Sequence, residues 1–178
     1  MEWLNEPAEW HGDDNELIVT AGAKTDFWRK THYGFIRDSG HCFGHRVAGD
    51  FTADVTVRGD YRAQYDQAGL MVRVGPATWM KCGIELVDGT QRASVVVTRD
   101  FSDWSILTLP TSPRAIRLRV QRQGDTLEIH AALDGDPESL LRVAYLPMGD
   151  SVLVGPMCAA PDGDGFPVRF TGFTVRQP

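Results

Sequence analysis

The stretch GLMVRVGPATWMKCGIELVDGTQRASVVVT, from Gly69 to Thr98, decides the fold class. Within it apolar residues fall at every second position. Met80, Cys82, Ile84 and Leu86 share one side of an extended segment, and Trp79, Lys81, Gly83 and Glu85 share the other. That is the period of a β-strand with one buried face. Leu70, Val72 and Val74 repeat the pattern before it, and Ala93, Val95 and Val97 repeat it after. Gly75-Pro76 and Asp88-Gly89 separate the three runs. Asp-Gly is a strong two-residue hairpin signal, because both central positions of that turn need positive φ.

The same alternation continues outward. Strands are expected at Glu16–Ala21, Phe51–Arg58, Gly69–Val74, Trp79–Val87, Arg92–Thr98 and Ser105–Leu109. Others follow at Ala115–Arg122, Thr126–Leu133, Ser139–Leu146 and Val168–Arg176, with Gly, Pro and Asp clusters between them. A short turn near Pro137–Leu140, or after Gly149, is the best helix candidate. So many short strands and no long helical period predict an all-β, two-sheet antiparallel jelly-roll sandwich. Residues 1–178 are expected to form a single domain, a length that suits one sandwich.

Composition narrows the partners. The formal charge of -6, with both signs mixed along the chain, lacks the basic stripe of a nucleic-acid or anionic-membrane binder. No run of about 18 apolar residues occurs, so no membrane-spanning helix is expected. The acidic start, Met1-Glu2-Trp3-Leu4, does not read as a secretory leader. Cys42, Cys82 and Cys158 are odd in number and scattered, which favours free thiols in the cytoplasm.

Register arithmetic then assigns the polar face. Sheet faces flip with a one-residue slip, so apolar sets of paired strands must align. Through the shortest Pro76-Ala77-Thr78 loop, Val74 pairs with Met80, Arg73 with Lys81, Met71 with Gly83 and Gly69 with Glu85. Across the Asp88-Gly89 turn, Glu85 faces Arg92, Gly83 faces Ser94, Lys81 faces Val96 and Trp79 faces Thr98. The outer face thus carries Arg73, Trp79, Lys81, Glu85, Arg92, Ser94 and Thr98 around a floor of Gly69 and Gly83. Glycine inside a strand marks the close approach of a ligand or of another backbone. A small-molecule hollow walled by Trp79 is the sharper reading. A solvated face with a Glu85–Arg92 pair is the plainer one. Arg73 directly across from Lys81 would be answered best by a bound anion. Gln67, Trp28 and Trp104 complete the candidate ligand-binding set.

Catalysis has thinner support. Glycosidases need two carboxyl groups across the scissile bond. Only Glu85, with Asp66 as a weak second, offers itself, and the pairing sets the two on opposite faces. Of His32, His41 and His45 only His41/His45 have the spacing of a helical ligand pair, in a glycine-rich segment that does not read as helix, and Asp162-Gly163-Asp164-Gly165 lacks the further ligands of a calcium loop, so neither metal nor cofactor is expected.

Four segments carry a family likeness: Thr25-Asp26-Phe27-Trp28-Arg29-Lys30-Thr31-His32-Tyr33-Gly34, Tyr65-Asp66-Gln67-Ala68-Gly69-Leu70-Met71-Val72-Arg73, Trp79–Glu85, and Ser94–Thr98 leading to Ser102-Asp103-Trp104-Ser105. Together they resemble the domain family that includes the yeast "regulation of enolase" protein, over roughly residues 10–175. The resemblance implies a concanavalin A-like lectin/glucanase sandwich and a cytoplasmic setting, and it brings no reaction with it. Three functions follow as expectations: a domain recognising a carbohydrate or small polar or anionic metabolite, a glycoside hydrolase using Glu85, or a regulatory protein-interaction domain.

Overall fold

The computed structural model describes residues 1–109 and 111–178. Its strands are β1 (Glu2–Leu4), β2 (Trp10–Gly12), β3 (Glu16–Gly22), β4 (Phe27–Arg29), β5 (Ile36–Asp38), β6 (His41–Ala48), β7 (Phe51–Gly59) and β8 (Gln67–Gly75). They continue as β9 (Thr78–Val87), β10 (Thr90–Arg99), β11 (Phe101–Thr108), β12 (Ile116–Gln123), β13 (Thr126–Leu133), β14 (Ser139–Tyr145), β15 (Ser151–Ala159) and β16 (Gly165–Arg176). The front sheet runs β1-β6-β15-β8-β9-β10-β11, and the back sheet runs β14-β13-β12-β7-β16-β3-β2. Strand pairs in both are antiparallel. No helix occurs among the described residues, so the turn expected near Pro137–Leu140 or after Gly149 is instead loop and the start of β14 and β15. The all-β sandwich expected from the sequence is what forms.

Alternation explains the core. Leu70, Val72, Met80, Cys82, Ile84, Ala93, Val95 and Val97 point inward from the front sheet onto Val55, Val57, Leu118, Val120, Ile129, Phe166 and Phe170 of the back sheet. Burying one such side chain is worth about 1.5–3 kcal/mol.

The β9–β10 register is the one the Asp88-Gly89 turn dictates, with Glu85 opposite Arg92, Ser94 opposite Gly83 and Thr98 opposite Trp79. The β8–β9 register differs from expectation by two residues. Gln67 pairs with Glu85, Gly69 with Gly83, Met71 with Lys81 and Arg73 with Trp79. The turn is tighter than expected: Gly75 pairs with Thr78 across Pro76-Ala77, and the register shift leaves Val74 as the extra residue of a bulge. A slip of two preserves the faces, so the inward and outward sets survive, but Arg73 no longer lies opposite Lys81.

A third layer covers part of the front sheet's outer face. The hairpin β4–β5 lays Phe27 and Trp28 over Met71, Trp79, Val96, Leu153 and Met157, forming a second apolar cluster. Gly40 makes room for it, since a Cβ there would sit 2.4 Å from the Phe27 ring. Arg73 holds the hairpin by donating to both carboxylate oxygens of Asp38, each at 2.7 Å. The backbone N–H of Arg29 donates to Ser102 Oγ at 3.0 Å, while the Arg29 and Lys30 side chains grip Asp100.

Candidate functional site

Beside the hairpin, the uncovered part of the outer face opens into a cavity of about 190 Å³. Its floor is the β8–β9 pair, through Gln67, Lys81 and Glu85, with Trp104 from β11. One wall comes from the hairpin segment, through Asp26, Trp28, Tyr33, Phe35 and Arg37. Tyr65, Pro161 and Asp162 form another. Drug-sized sites run to roughly 300–1,000 Å³, so this one suits a single ring or a metabolite of that size.

Of the expected ligand-binding residues, Trp28, Gln67, Lys81, Glu85 and Trp104 line this cavity and the others do not. Trp79 is 1% exposed beneath the hairpin, with Phe27 6.1 Å away between ring centres. It is core. Arg73 is consumed by Asp38, so the like-charge pair that asked for an anion does not exist. Thr98 is fully buried and shares a hydrogen bond with Ser102 at 2.8 Å. Arg92 donates to Thr108 rather than to Glu85, although the two lie in register. Ser94 supports the site from behind by donating to Glu85.

The glycine floor is also corrected. A Cβ on Gly69 would lie 1.7 Å from the carbonyl oxygen of Cys82, and one on Gly83 would lie 2.0 Å from that of Ala68. The paired glycines are there because two backbones converge, not because a ligand rests on them. Asp66, the weak second catalytic candidate, is fully buried away from the cavity. Its Oδ2 accepts the backbone N–H groups of Arg62 and Ala63 at 2.8 and 2.9 Å, capping the turn before β8.

Asp26, Tyr33, Phe35, Arg37, Tyr65 and Asp162 were not singled out as binding residues by the sequence reading. Asp26 and Tyr33 stand in the Thr25–Gly34 segment that carries the family likeness, and Tyr65 opens the next such segment. That coincidence was the available signal. Nothing local in the sequence says that the hairpin folds over the sheet.

The polar groups are tightly organised. Lys81 Nζ donates to Phe27 O at 2.7 Å and to Gln67 Oε1, and lies 3.6 Å from Asp26 Oδ1. Glu85 Oε2 accepts from Ser94 Oγ at 2.7 Å and from Trp104 Nε1 at 3.0 Å. Burial raises the Glu85 pKa, and Lys81, Ser94 and Trp104 oppose that rise in part. The Tyr33 and Tyr65 hydroxyls meet at 3.4 Å. That contact, then burial, then the nearby Glu85 and Asp162 push the Tyr33 pKa to about 12. Trp28 and Trp104 meet edge to face at 6.3 Å, and Tyr33 stacks on Phe35 at 5.3 Å. The result is an aromatic box whose floor holds Glu85 and Lys81 and whose walls add Asp26 and Asp162.

The histidines play other parts. His41 Nε2 accepts the backbone N–H of Gly22 at 3.0 Å and Nδ1 meets Asn5 O, while His45 packs edge-on to Phe173.

Residues 3–178 match the family described as "Protein of unknown function (DUF1349)". The chain belongs to that family. It is 40% identical over 176 residues to "Regulation of enolase protein 1" of Saccharomyces cerevisiae, covering 99% of this chain and 89% of that relative. The motif-based likeness to that family is therefore upheld. A crystal structure of "a functionally unknown protein from Saccharomyces cerevisiae" superposes with a TM-score of 0.95 at 40% identity, over 99% of this chain and 96% of the other. The carbohydrate binding module CBM66 from Bacillus subtilis superposes with a TM-score of 0.62 at 12% identity, over 98% of this chain and 95% of the module. At that identity the likeness shows the fold alone. This DUF1349 member thus has the jelly-roll sandwich of such modules, and no helix among its described residues is long and apolar enough to cross a membrane.

Proposed function

We propose that this domain binds a carbohydrate unit, or a polar metabolite of similar size, in the cavity between the β4–β5 hairpin and the front sheet. The observation that carries the reading is the combination in one half-open cavity of five aromatic rings with buried polar side chains. Trp28, Tyr33, Phe35, Tyr65 and Trp104 supply apolar ring faces, and Gln67, Glu85 and Asp26 supply hydrogen-bonding groups fixed by their neighbours. Sites for small polar rings combine these two features. The module from Bacillus subtilis, named for carbohydrate binding, supports the reading by shared fold. Three buried free thiols support a reducing, cytoplasmic setting.

The anionic ligand loses its support with the Arg73–Asp38 pair. Hydrolysis keeps one observation in its favour: Glu85 is a buried carboxyl with a raised pKa, and Asp26 and Asp162, not Asp66, share its cavity.

A thermal-shift screen of glycans and polar metabolites tests binding, because a ligand of the folded state raises apparent stability. Tyr33 is 46% exposed, so Tyr33→Ala removes a cavity wall with little risk to the fold. The expected result is a ligand that stabilises the native chain and not Tyr33→Ala. A screen without hits, or one whose hits ignore Tyr33→Ala, overturns the reading. Product formation from any glycoside hit, abolished in Glu85→Gln, would move the assignment to a hydrolase.

A further inference from the structure

A pocket selects by the hydrogen-bonding capacity its own residues leave unused. Lys81 has little left to offer, for it donates to Phe27 O and Gln67 Oε1, lies 3.6 Å from Asp26 Oδ1 as an ion pair, and is 5% exposed. Its charge is neutralised inside the wall. Gln67 spends its oxygen on Lys81 and one N–H on Tyr65 O at 3.1 Å. The indole N–H of Trp28 goes to Thr31 O at 2.9 Å, and that of Trp104 to Glu85. Both indoles therefore offer ring faces to a ligand and no donor.

Gln67 keeps one N–H and Arg37 donates no side-chain hydrogen bond among the described residues, but the unused charged groups nearest the buried floor are carboxylate acceptors. Glu85 is 6% exposed, and its Oε1 accepts no hydrogen bond among the described residues. Asp26 is 7% exposed, and only its Oδ1 is engaged, by Phe27 N at 2.7 Å and by Lys81. The Asp162 carboxylate has no partner among the described residues, although its backbone oxygen accepts from Lys24. The rings of Trp28, Tyr33, Tyr65 and Trp104 add electron-rich faces of the same sign, while the Phe35 ring already carries Arg37.

From this balance we infer that the cavity selects a ligand bearing a protonated amine, and that an amino sugar is the class matching both its walls and its charges. The inference rests on the carbohydrate reading above. An ammonium group donates charge-assisted hydrogen bonds to carboxylates, roughly twice as strong as those from a neutral hydroxyl. It also gains from ring faces within about 6 Å. A carboxylated sugar would instead meet three acidic side chains.

Arg37 is the other cation at the cavity, and with Lys81 it stands against three acidic side chains, Asp26, Glu85 and Asp162. Its guanidinium lies over the Phe35 ring at 4.3 Å. The charges acting most on Glu85 are Lys81 and Asp26, and Tyr33 is acted on by Tyr65 first and then by Glu85 and Asp162. The overall charge of -6 works in the same direction at longer range.

The test is matched titration, by calorimetry or ligand-observed NMR at neutral pH, of glucose, galactose and mannose. Each is compared with its 2-amino and N-acetylamino derivatives, and glucuronate and galacturonate complete the series. At least one amino sugar is expected to bind about tenfold or more tightly than its neutral parent. N-acetylation, which keeps an N–H and removes the charge, should erase the gain, and the uronates should bind most weakly. Asp162→Asn, at an exposed site that the fold does not depend on, should narrow the gap between amine and parent. Parents that bind as tightly as their amines, or a gain that survives acetylation, overturn the inference and leave the carbohydrate reading standing. If no sugar of any charge binds, the carbohydrate reading fails and the amine preference fails with it.

Discussion

Arg73 and Asp38 meet in a two-pronged ion pair, each guanidinium nitrogen donating at 2.7 Å to its own carboxylate oxygen. The pair joins the front sheet to the end of the β4–β5 hairpin, the segment that also walls the cavity. Asp38→Ala should destabilise the chain by roughly 2–3 kcal/mol, because it strands a guanidinium that is 7% exposed. The figure lies at the low end for buried pairs because the Asp38 side chain keeps 32% of its surface in water. Urea midpoints measure the loss. Adding Arg73→Leu to Asp38→Ala should recover part of it, whereas a further drop would mean that Arg73 acts through packing alone.

Gly69 and Gly83 yield a prediction that separates structural from ligand-floor glycines. Alanine at either position places a Cβ within about 2 Å of a carbonyl oxygen on the neighbouring strand, as the 1.7 and 2.0 Å approaches require. Backbone must move, and the cost should be at least about 3 kcal/mol, the scale of severe overpacking. Thermal or urea unfolding of Gly69→Ala and Gly83→Ala would show it. Folded, stable variants would restore the view that the glycines merely clear space for a ligand.

Much of the fold was legible because local signals agreed. The alternation from Leu70 to Val97 and the Asp88-Gly89 turn fixed both faces and one register. Where signals conflicted, the reading failed. β15 is an inner strand of the front sheet, between β6 and β8, yet Gly155-Pro156 within it reads as a strand breaker. The structure tolerates the pair because the chain draws close at Gly155, where a Cβ would meet Phe43 O at 2.2 Å. The bridge pairing with β6 skips from Val154 to Met157, sparing the proline a donor it lacks. β6 itself went unrecognised, with Gly44 and two histidines breaking its pattern. About half of the site was legible too. Glu85, Lys81, Gln67, Trp28 and Trp104 follow from strand parity and motif, but the burial of Trp79 and Arg73 depends on a hairpin docking from far along the chain. Periodicity does not encode that long-range contact.

Cys42, Cys82 and Cys158 should be unreactive toward a thiol reagent such as Ellman's in the native protein. All three are buried and free. Burial pushes Cys42 and Cys82 up to about 12 and raises Cys158 as well, so almost no thiolate exists near neutrality. Slow labelling in buffer and rapid labelling of all three in denaturant is the expected contrast. Fast native labelling would mean that the sheets open locally.

Glu85 sets the final expectation, a pH dependence of stability. Burial raises its pKa from the ordinary 4.5, outweighing the opposing pull of Lys81, Ser94 and Trp104, and Asp26 adds to the rise. The folded chain therefore holds this proton more tightly than the unfolded chain does. Below 4.5 both states are protonated, and the contribution to stability is complete. As pH climbs through the folded-state value, the unfolded chain ionises freely while the folded one must bury a charge, so that contribution is lost. Glu85→Gln cannot ionise and keeps an oxygen to accept from Ser94 and Trp104. Its stability relative to the native chain should rise as pH climbs above about 4.5 and level off once the folded-state carboxyl has ionised. Urea unfolding of both proteins across pH 4–8 measures the gap. A gap that stays flat, or that shrinks with pH, would mean that Lys81 holds the carboxylate ionised and that the floor of the cavity is an ion pair.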